Sequence, residues 1–374
     1  MITSKGRNSV VLPCAMASDS LLQIQNLSVA FRGVPVVDGI DLRLGAGETL
    51  ALVGESGCGK SVTALSILRL LPAAAKITSG AVGWNGRDLL KQPESALREL
   101  RGGEIGAIWQ DPLASLNPVL PIGTPIIETL TQHCGMDRKA ARAAAIEALE
   151  RVGISNAQSR LDAYPHQLSG GQRQRVMIAA AIASKPKLII ADEPTTALDV
   201  SVQAQILDLL RDLQNTTGAS MLLITHDLGV VAKIAHRVAV MYAGQIVETG
   251  TVRQIFEQPQ HPYTQGLLLA TPRLHADAMP LPIPGTVPPP GRWPVGCRFK
   301  TRCPLYQTPT CDDMPPLLPV GENQPARCWF AGTPAWKTES ARAKEVSAQR
   351  APGIPDIRLY AERAQGNDKR VCEP

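Results

Sequence analysis

The sequence of 374 residues is short of aromatic side chains: Phe, Trp and Tyr together make up 4% of it. Few stacking platforms for bases are therefore available. It is also short of excess charge. The formal net charge is +5, yet residues 291–374 alone hold 13 Lys and Arg against 9 Asp and Glu, which leaves the preceding part close to neutral. A basic face able to follow a polyanion is missing, so nucleic acid is not an expected partner, and the excess reads as a solvated tail. No apolar run reaches the ~18 to 20 residues that span a bilayer, because charges, Pro, Gly or His interrupt each one. The chain should be soluble or peripheral. Heptads, internal repeats and a second phosphate-binding loop are absent too. What is present is apolar mass. At 44% hydrophobic content the chain can fill about two cores of ~150 residues each, which excludes a disordered or fibrous protein.

Residues 1–20 are expected to be a disordered extension. Lys5, Arg7, Val10 to Leu12 and Ala15-Met16-Ala17 faintly resemble a secretory signal, but Pro13 and Cys14 cut its apolar core short, and Met16 is an alternative start. Leu21 to Ile24 and Leu27 to Phe31 read as β-rich. Thr49 to Val53 is a short apolar run ending in glycine, as a buried parallel strand should be. From Asp137, a plausible N-cap, to Val152 the pattern is helical, with Ile146, Leu149 and Val152 on one stripe and Glu147 four residues before Arg151. Leu188 to Ala191 and Met221 to Ile224 are strand-like and flank a helical stretch from Val202 to Leu213. This βαβ rhythm predicts an α/β fold around a parallel sheet. Beyond about Gly250 proline accumulates, and Pro280 to Pro290 reads as a stiff linker. Residues 331–374 are polar and charged, and a flexible tail is expected there.

The chemistry begins at Gly54-Glu55-Ser56-Gly57-Cys58-Gly59-Lys60-Ser61, placed between a strand and a helical pattern from Val62 to Leu70. Glycines let backbone N–H groups turn in around phosphate oxygens, and the helix N-terminus adds positive potential. Lys60 can reach the β and γ phosphates, and Ser61 can bind magnesium. Asp192 and Glu193 end a second strand, where one carboxylate can hold magnesium and the next can face an attacking water. Cys58, beside the helix N-terminus and Lys60, is expected to carry a lowered thiol pKa and to be shielded by ATP, with an inert small residue as the alternative. Ser169, Gly170, Gly171 and Gln172 open another helical run through Val176 to Ala183, giving the same chain a second anion-binding helix end.

With Gln110, the Ala197-Leu198-Asp199 segment and His226 added in this order, the sequence resembles the ATP-binding cassette (ABC) family over roughly Leu21 to Gly250. The resemblance implies a P-loop NTPase cassette over residues 21–255, with a parallel sheet core, a β-rich N-terminal subdomain and an inserted helical subdomain at about 112–168. It implies ATP and Mg as ligands, with Ser61, Gln110 and Asp192 on the metal and Glu193 as general base. His226 becomes the γ-phosphate switch, Gln110 a sensor of that phosphate, and Phe31 an adenine-stacking aromatic, although Phe31 could equally be a core residue of its strand. The signature at Ser169 to Gln172 would cover ATP held by another subunit, so a head-to-tail dimer is implied. Trp109 to Pro112, Ser115 to Pro118, His261-Pro262-Tyr263-Thr264, Ile283-Pro284-Gly285, Gly296 to Phe299 and Arg302-Cys303-Pro304 are similar to the ATPase subunits of bacterial dipeptide and oligopeptide importers. That extends the likeness to about Phe330, with a small Cys- and Pro-rich C-terminal domain over residues 256–330. It implies a second, paralogous ATPase subunit, two membrane permeases and an extracytoplasmic solute-binding protein, with this chain peripheral on the cytoplasmic face of the bacterial membrane. Members of the group also import nickel chelates, opines or oligosaccharides. A cassette acting on nucleic acid or ribosomes is the rival class, but it would typically bring a coiled-coil insertion or two fused cassettes.

Cys297, Cys303, Cys311 and Cys328 form a late group. In a secreted protein they would suggest disulfides, and in the cytosol a metal. Their spacing is too irregular for paired Cys-x-x-Cys knuckles. Four thiolates suit a [4Fe-4S] cluster or tetrahedral zinc, with unligated thiols as the remaining alternative, and Cys303-Pro304 with the uneven spacing leans towards the cluster, as does the importer resemblance.

Overall fold

The computed structural model describes residues 20–196, 198–271, 280–321 and 324–349. The extension with its signal-like features, Ala197, and the tail from residue 350, Cys372 included, lie outside the described residues. Two sheets share the chain. β1 (Ser20–Phe31), β2 (Val34–Gly45), β4 (Ala75–Trp84) and β5 (Arg87–Asp88) form an antiparallel sheet in the order β2-β1-β4-β5. The two β-rich pieces before Phe31 thus merge into one strand, because β-bulges at Ile24/Leu27 and Leu27/Val29 absorb the break in alternation.

The second sheet holds β3 (Thr49–Val53), β6 (Ile105–Ile108), β7 (Leu188–Asp192), β8 (Ser220–Thr225), β9 (Arg237–Tyr242), β10 (Gln245–Thr251), β11 (Leu318–Val320) and β12 (Gln324–Ala326). Its order is β11-β12-β10-β9-β3-β8-β7-β6, and β9, β3, β8, β7 and β6 run parallel. β3, β7 and β8 are buried along their whole length, which is why they read as unbroken apolar runs. β6 follows no such long run, and its short Ile105-Gly106-Ala107-Ile108 stretch is placed by pairing with β7.

Helices inserted between β6 and β7 share one core with the second sheet. Asp137 caps the helix Arg138–Arg151, accepting the Ala140 N–H at 2.8 Å, and Leu149 and Val152 of the expected stripe are fully buried while Ile146 is half-buried. They pack with Ile178 and Leu210 in one core. A second core lies between the antiparallel sheet and the first helix, Lys60–Ile67, and a third gathers Val53, Tyr242, Tyr263 and Phe299.

The C-terminal region corrects two expectations. It is joined to the second sheet, where β12 pairs with β10 through Glu248 and Ala326 and the Arg327 N–H donates to the Val247 carbonyl at 2.7 Å. Within the expected linker, Ile283 and Val287 pack on the third core. Past Phe330 the chain is not simply a flexible tail, since Pro334–Gln349 is a helix whose Trp336 is buried and donates from Nε1 to the Pro259 carbonyl at 3.1 Å. A single large apolar side chain supplies the anchor in an otherwise polar stretch. No helix among the described residues is long and apolar enough to cross a membrane.

Candidate active site

β3 delivers the chain into the glycine-rich loop at the carboxyl ends of the parallel strands, the crevice where ligands bind in open α/β sheets. Two glycines are dictated by space as well as by conformation. Gly54 has φ +156 and a Cβ there would stand 2.2 Å from the Met241 carbonyl oxygen. Gly59, the N-cap of the helix Lys60–Ile67, has φ +109, and its Cβ would meet the Met241 side chain at 2.8 Å. The Lys60 ammonium lies inside the loop, donating to the carbonyls of Gly54 at 2.7 Å and Glu55 at 3.1 Å.

Neighbouring strands bring up the acids. Asp192, the last residue of β7, is buried; burial pushes its carboxyl up, against a hydrogen bond from Ser61, and its Oδ1 finds no protein partner. An orphaned carboxylate oxygen beside a serine hydroxyl fits a hard divalent cation. Glu193 has a left-handed backbone at φ +48, fixed by its N–H donating to the Ile224 carbonyl at 2.8 Å. This turn aims its carboxylate at three donors. Gln110, just past β6, donates from Nε2 at 3.1 Å, Thr196 donates from its hydroxyl at 2.8 Å, and His226, just past β8, stands with Nδ1 at 3.1 Å. Burial raises the Glu193 carboxyl, but the hydrogen bonds from Thr196 and His226 and the charges of His226 and Lys60 outweigh it, so it titrates below the usual range. The two adjacent acids are driven in opposite directions, which suits them to different roles.

Gln110, Glu193 and His226 are therefore brought together. Thr196 was not singled out in the sequence, although its position three residues after Glu193 in a turn is a usable signal. Ser169 caps the helix Gly170–Ile182 in a reciprocal box with Gln172, at 3.3 and 3.0 Å. Ser169 and Gly170 are exposed, and a Cβ on Gly170 would meet nothing within 4 Å, so this helix end faces open space. Phe31 ends β1 opposite Val34 and Ala75, half-buried. The activated thiol expected at Cys58 is not there: the side chain is fully buried, and burial raises its pKa despite the nearby Lys60. It is the small inert residue that the loop needs.

Cys297, Cys303, Cys311 and Cys328 line one small apolar cavity with His261 and Phe299. Burial pushes the Cys303 thiol up to about 12 and the Cys328 thiol to about 11, and the neighbouring sulfurs add to both shifts. Yet among the described residues no three His, Cys, Asp or Glu stand close enough to hold a metal ion, so neither expected ligand set, for a [4Fe-4S] cluster or for zinc, is shown there.

The ABC transporter family model matches residues 37–196, and the model for the oligopeptide/dipeptide transporter C-terminal region matches residues 247–311. A Brucella abortus protein provisionally named as a peptide import ATP-binding protein is 52% identical over 313 residues, spanning 82% of this chain and 94% of its own. The oligopeptide transport ATP-binding protein AppD of Bacillus subtilis is 48% identical over 317 residues, 83% of this chain and 97% of its own. Among solved structures, the dimer of the ATP-binding cassette MJ0796 in a post-hydrolysis state with ADP and Pi superposes with a TM-score of 0.56 at 28% identity, over 62% of this chain and 99% of that one.

Proposed function

This chain belongs to the ABC transporter ATPases, and from that premise we propose that it hydrolyses ATP to power peptide import through a pair of membrane permeases. The gathering of Gln110, Thr196 and His226 on the Glu193 carboxylate, next to the unpartnered Asp192 oxygen and the Lys60 loop, carries the reading. Loop N–H groups and Lys60 bind the triphosphate, with Phe31 against the adenine. Ser61, Asp192 and Gln110 are the residues that would hold Mg, which when bound supplies Lewis-acid polarisation of the phosphate oxygens. Glu193 takes a proton from the attacking water, and His226 both orients that carboxylate and faces the γ phosphate. The open signature end at Ser169 to Gln172 covers nucleotide on a second ATPase subunit, a paralogue in our reading. The assembly sits on the cytoplasmic face of the membrane and receives its cargo from an extracytoplasmic binding protein. Peptide cargo rests on the named relatives and the matched C-terminal region. Purified with its permeases and the second ATPase subunit in liposomes, the chain should show ATPase activity that rises when peptide-loaded binding protein is added. Equal rates with and without peptide, but a rise with a nickel chelate or oligosaccharide, would replace the cargo assignment.

We assign the four late cysteines to a [4Fe-4S] cluster. Their shared apolar pocket and four sulfur side chains support it. Cys297, Cys303, Cys311 and Cys328 would hold it, and it would tie the region to the cassette. Anaerobic protein should absorb in the visible and contain iron and sulfide, and Cys311→Ser should lose both while still binding ATP. Colourless, metal-free protein with four alkylatable late thiols would remove the cluster.

A further inference from the structure

Two groups from the C-terminal region converge on Glu55, the second residue of the phosphate loop. Arg302 lies between Cys297 and Cys303 and is 6% exposed. Its guanidinium donates from Nη1 to Glu55 Oε2 at 2.7 Å and from Nη2 to Oε1 at 3.0 Å, a bidentate pair, while Nε donates to the Pro284 carbonyl at 2.8 Å. The guanidinium carbon also stands 5.8 Å from the Tyr242 ring centre and 5.9 Å from that of Phe299. Tyr263 is fully buried, and its hydroxyl accepts the Glu55 backbone N–H at 2.8 Å. Its ring packs on Tyr242 and Phe299 with centres 4.5 and 5.5 Å apart. One side chain thus holds the carboxylate of Glu55 and another holds its main chain, from 247 and 208 residues away.

We propose that Arg302 and Tyr263 are positioning residues of the nucleotide site, which fix Glu55 and thereby set the affinity of the phosphate loop for ATP. The reason is electrostatic. A triphosphate entering the loop meets a carboxylate of its own sign on the residue after Gly54. Arg302 neutralises that carboxylate and draws it towards the third core, away from the phosphates. Tyr263 satisfies the one N–H at this residue, so the peptide between Gly54 and Glu55 is set before ligand arrives, and binding need not order it. The Ile283-Pro284-Gly285 and His261-Pro262-Tyr263 segments acquire a common purpose: the first supplies the carbonyl that orients Arg302, the second the hydroxyl.

This inference rests on ATP occupying the Lys60 loop, and Lys60→Ala serves as the reference. With full-length protein and Mg-ATP, Arg302→Met should raise the dissociation constant and the KM by about tenfold, the loss of a charged hydrogen-bonded partner, while kcat stays within about twofold because Glu193 is untouched. Adding Glu55→Gln to Arg302→Met should recover most of the affinity, since the unpaired charge is then gone. Arg302→Lys should keep more affinity than Arg302→Met, and Tyr263→Phe, which removes one oxygen, should weaken binding by a few fold. Wild-type affinity in Arg302→Met, or a Glu55→Gln double variant no better than the single, overturns the proposal. If Arg302→Met fails to fold, Arg302→Lys and Tyr263→Phe decide it, and wild-type affinity in both overturns it. No binding by the wild type, or undiminished binding by Lys60→Ala, instead removes the site reading and this inference with it.

Discussion

Glu193→Gln should bind Mg-ATP as tightly as the wild type and hydrolyse it about 10²- to 10⁴-fold more slowly. The amide keeps the size of the side chain and can still accept from Thr196 and Gln110, so the turn at φ +48 should survive. What it cannot do is take a proton. His226 also loses the negative partner at 3.1 Å. Steady-state hydrolysis and equilibrium binding, measured on the assembled complex, separate the two effects: a fall in kcat with unchanged affinity is expected. Hydrolysis by the variant within about tenfold of wild type would mean that another group accepts the proton, and the general-base role of Glu193 would be withdrawn.

The second large effect is on stability. Glu248 in β10 is fully buried, and its carboxylate accepts the Gln260 N–H at 2.7 Å, the His261 N–H at 3.0 Å and Nε2 of Gln324 at 2.8 Å. Burial pushes its pKa up to about 7 in spite of these donors. One side chain therefore joins the cassette sheet, the start of the helix Pro262–Ala270 and β12. Glu248→Ala leaves the Gln260 and His261 N–H groups without an acceptor, while Gln324 Nε2 keeps the Gln258 carbonyl at 2.9 Å, and at about 1–3 kcal/mol for each orphaned donor the loss is on the order of 2–4 kcal/mol. Thermal or urea unfolding should show this loss, with protease cleavage first appearing between β10 and β12. A variant as stable as the wild type would show that water reaches these donors. The pH response has a definite sign. A carboxyl whose folded pKa lies above the ordinary value of 4.5 stabilises most at low pH, so its contribution should decline as pH rises from about 4.5 through about 7.

Much of the catalytic crevice was legible in the sequence because its parts are contiguous. A phosphate loop after a strand, an acidic pair ending a buried strand and a serine-led helix start each announce themselves within a few residues. Strands buried on both faces add unbroken apolar runs, which is why β3, β7 and β8 stood out. The hidden features depend on distance. Nothing near Glu55 tells of Arg302, and nothing near Trp336 tells of Pro259. Cys58 was misread because proximity to a cation was visible while burial was not, and burial decides the thiol's pKa. The three-residue strands β11 and β12 were invisible for another reason: each carries a proline, and their pairing comes from the sheet edge they join.

The attachment of the C-terminal region has an evolutionary consequence. It grips the cassette through acids scattered along the chain: Asp38 in β2, which pairs with Arg298, Glu55 in the phosphate loop, and Glu248 in β10. A segment appended by gene fusion to an unrelated cassette would find none of these sockets in place. Its arginines would be buried without counter-charges, at a cost of several kcal/mol. The region should therefore travel with its host cassette, and substitutions at the three acids should be tracked by changes in the residues they hold.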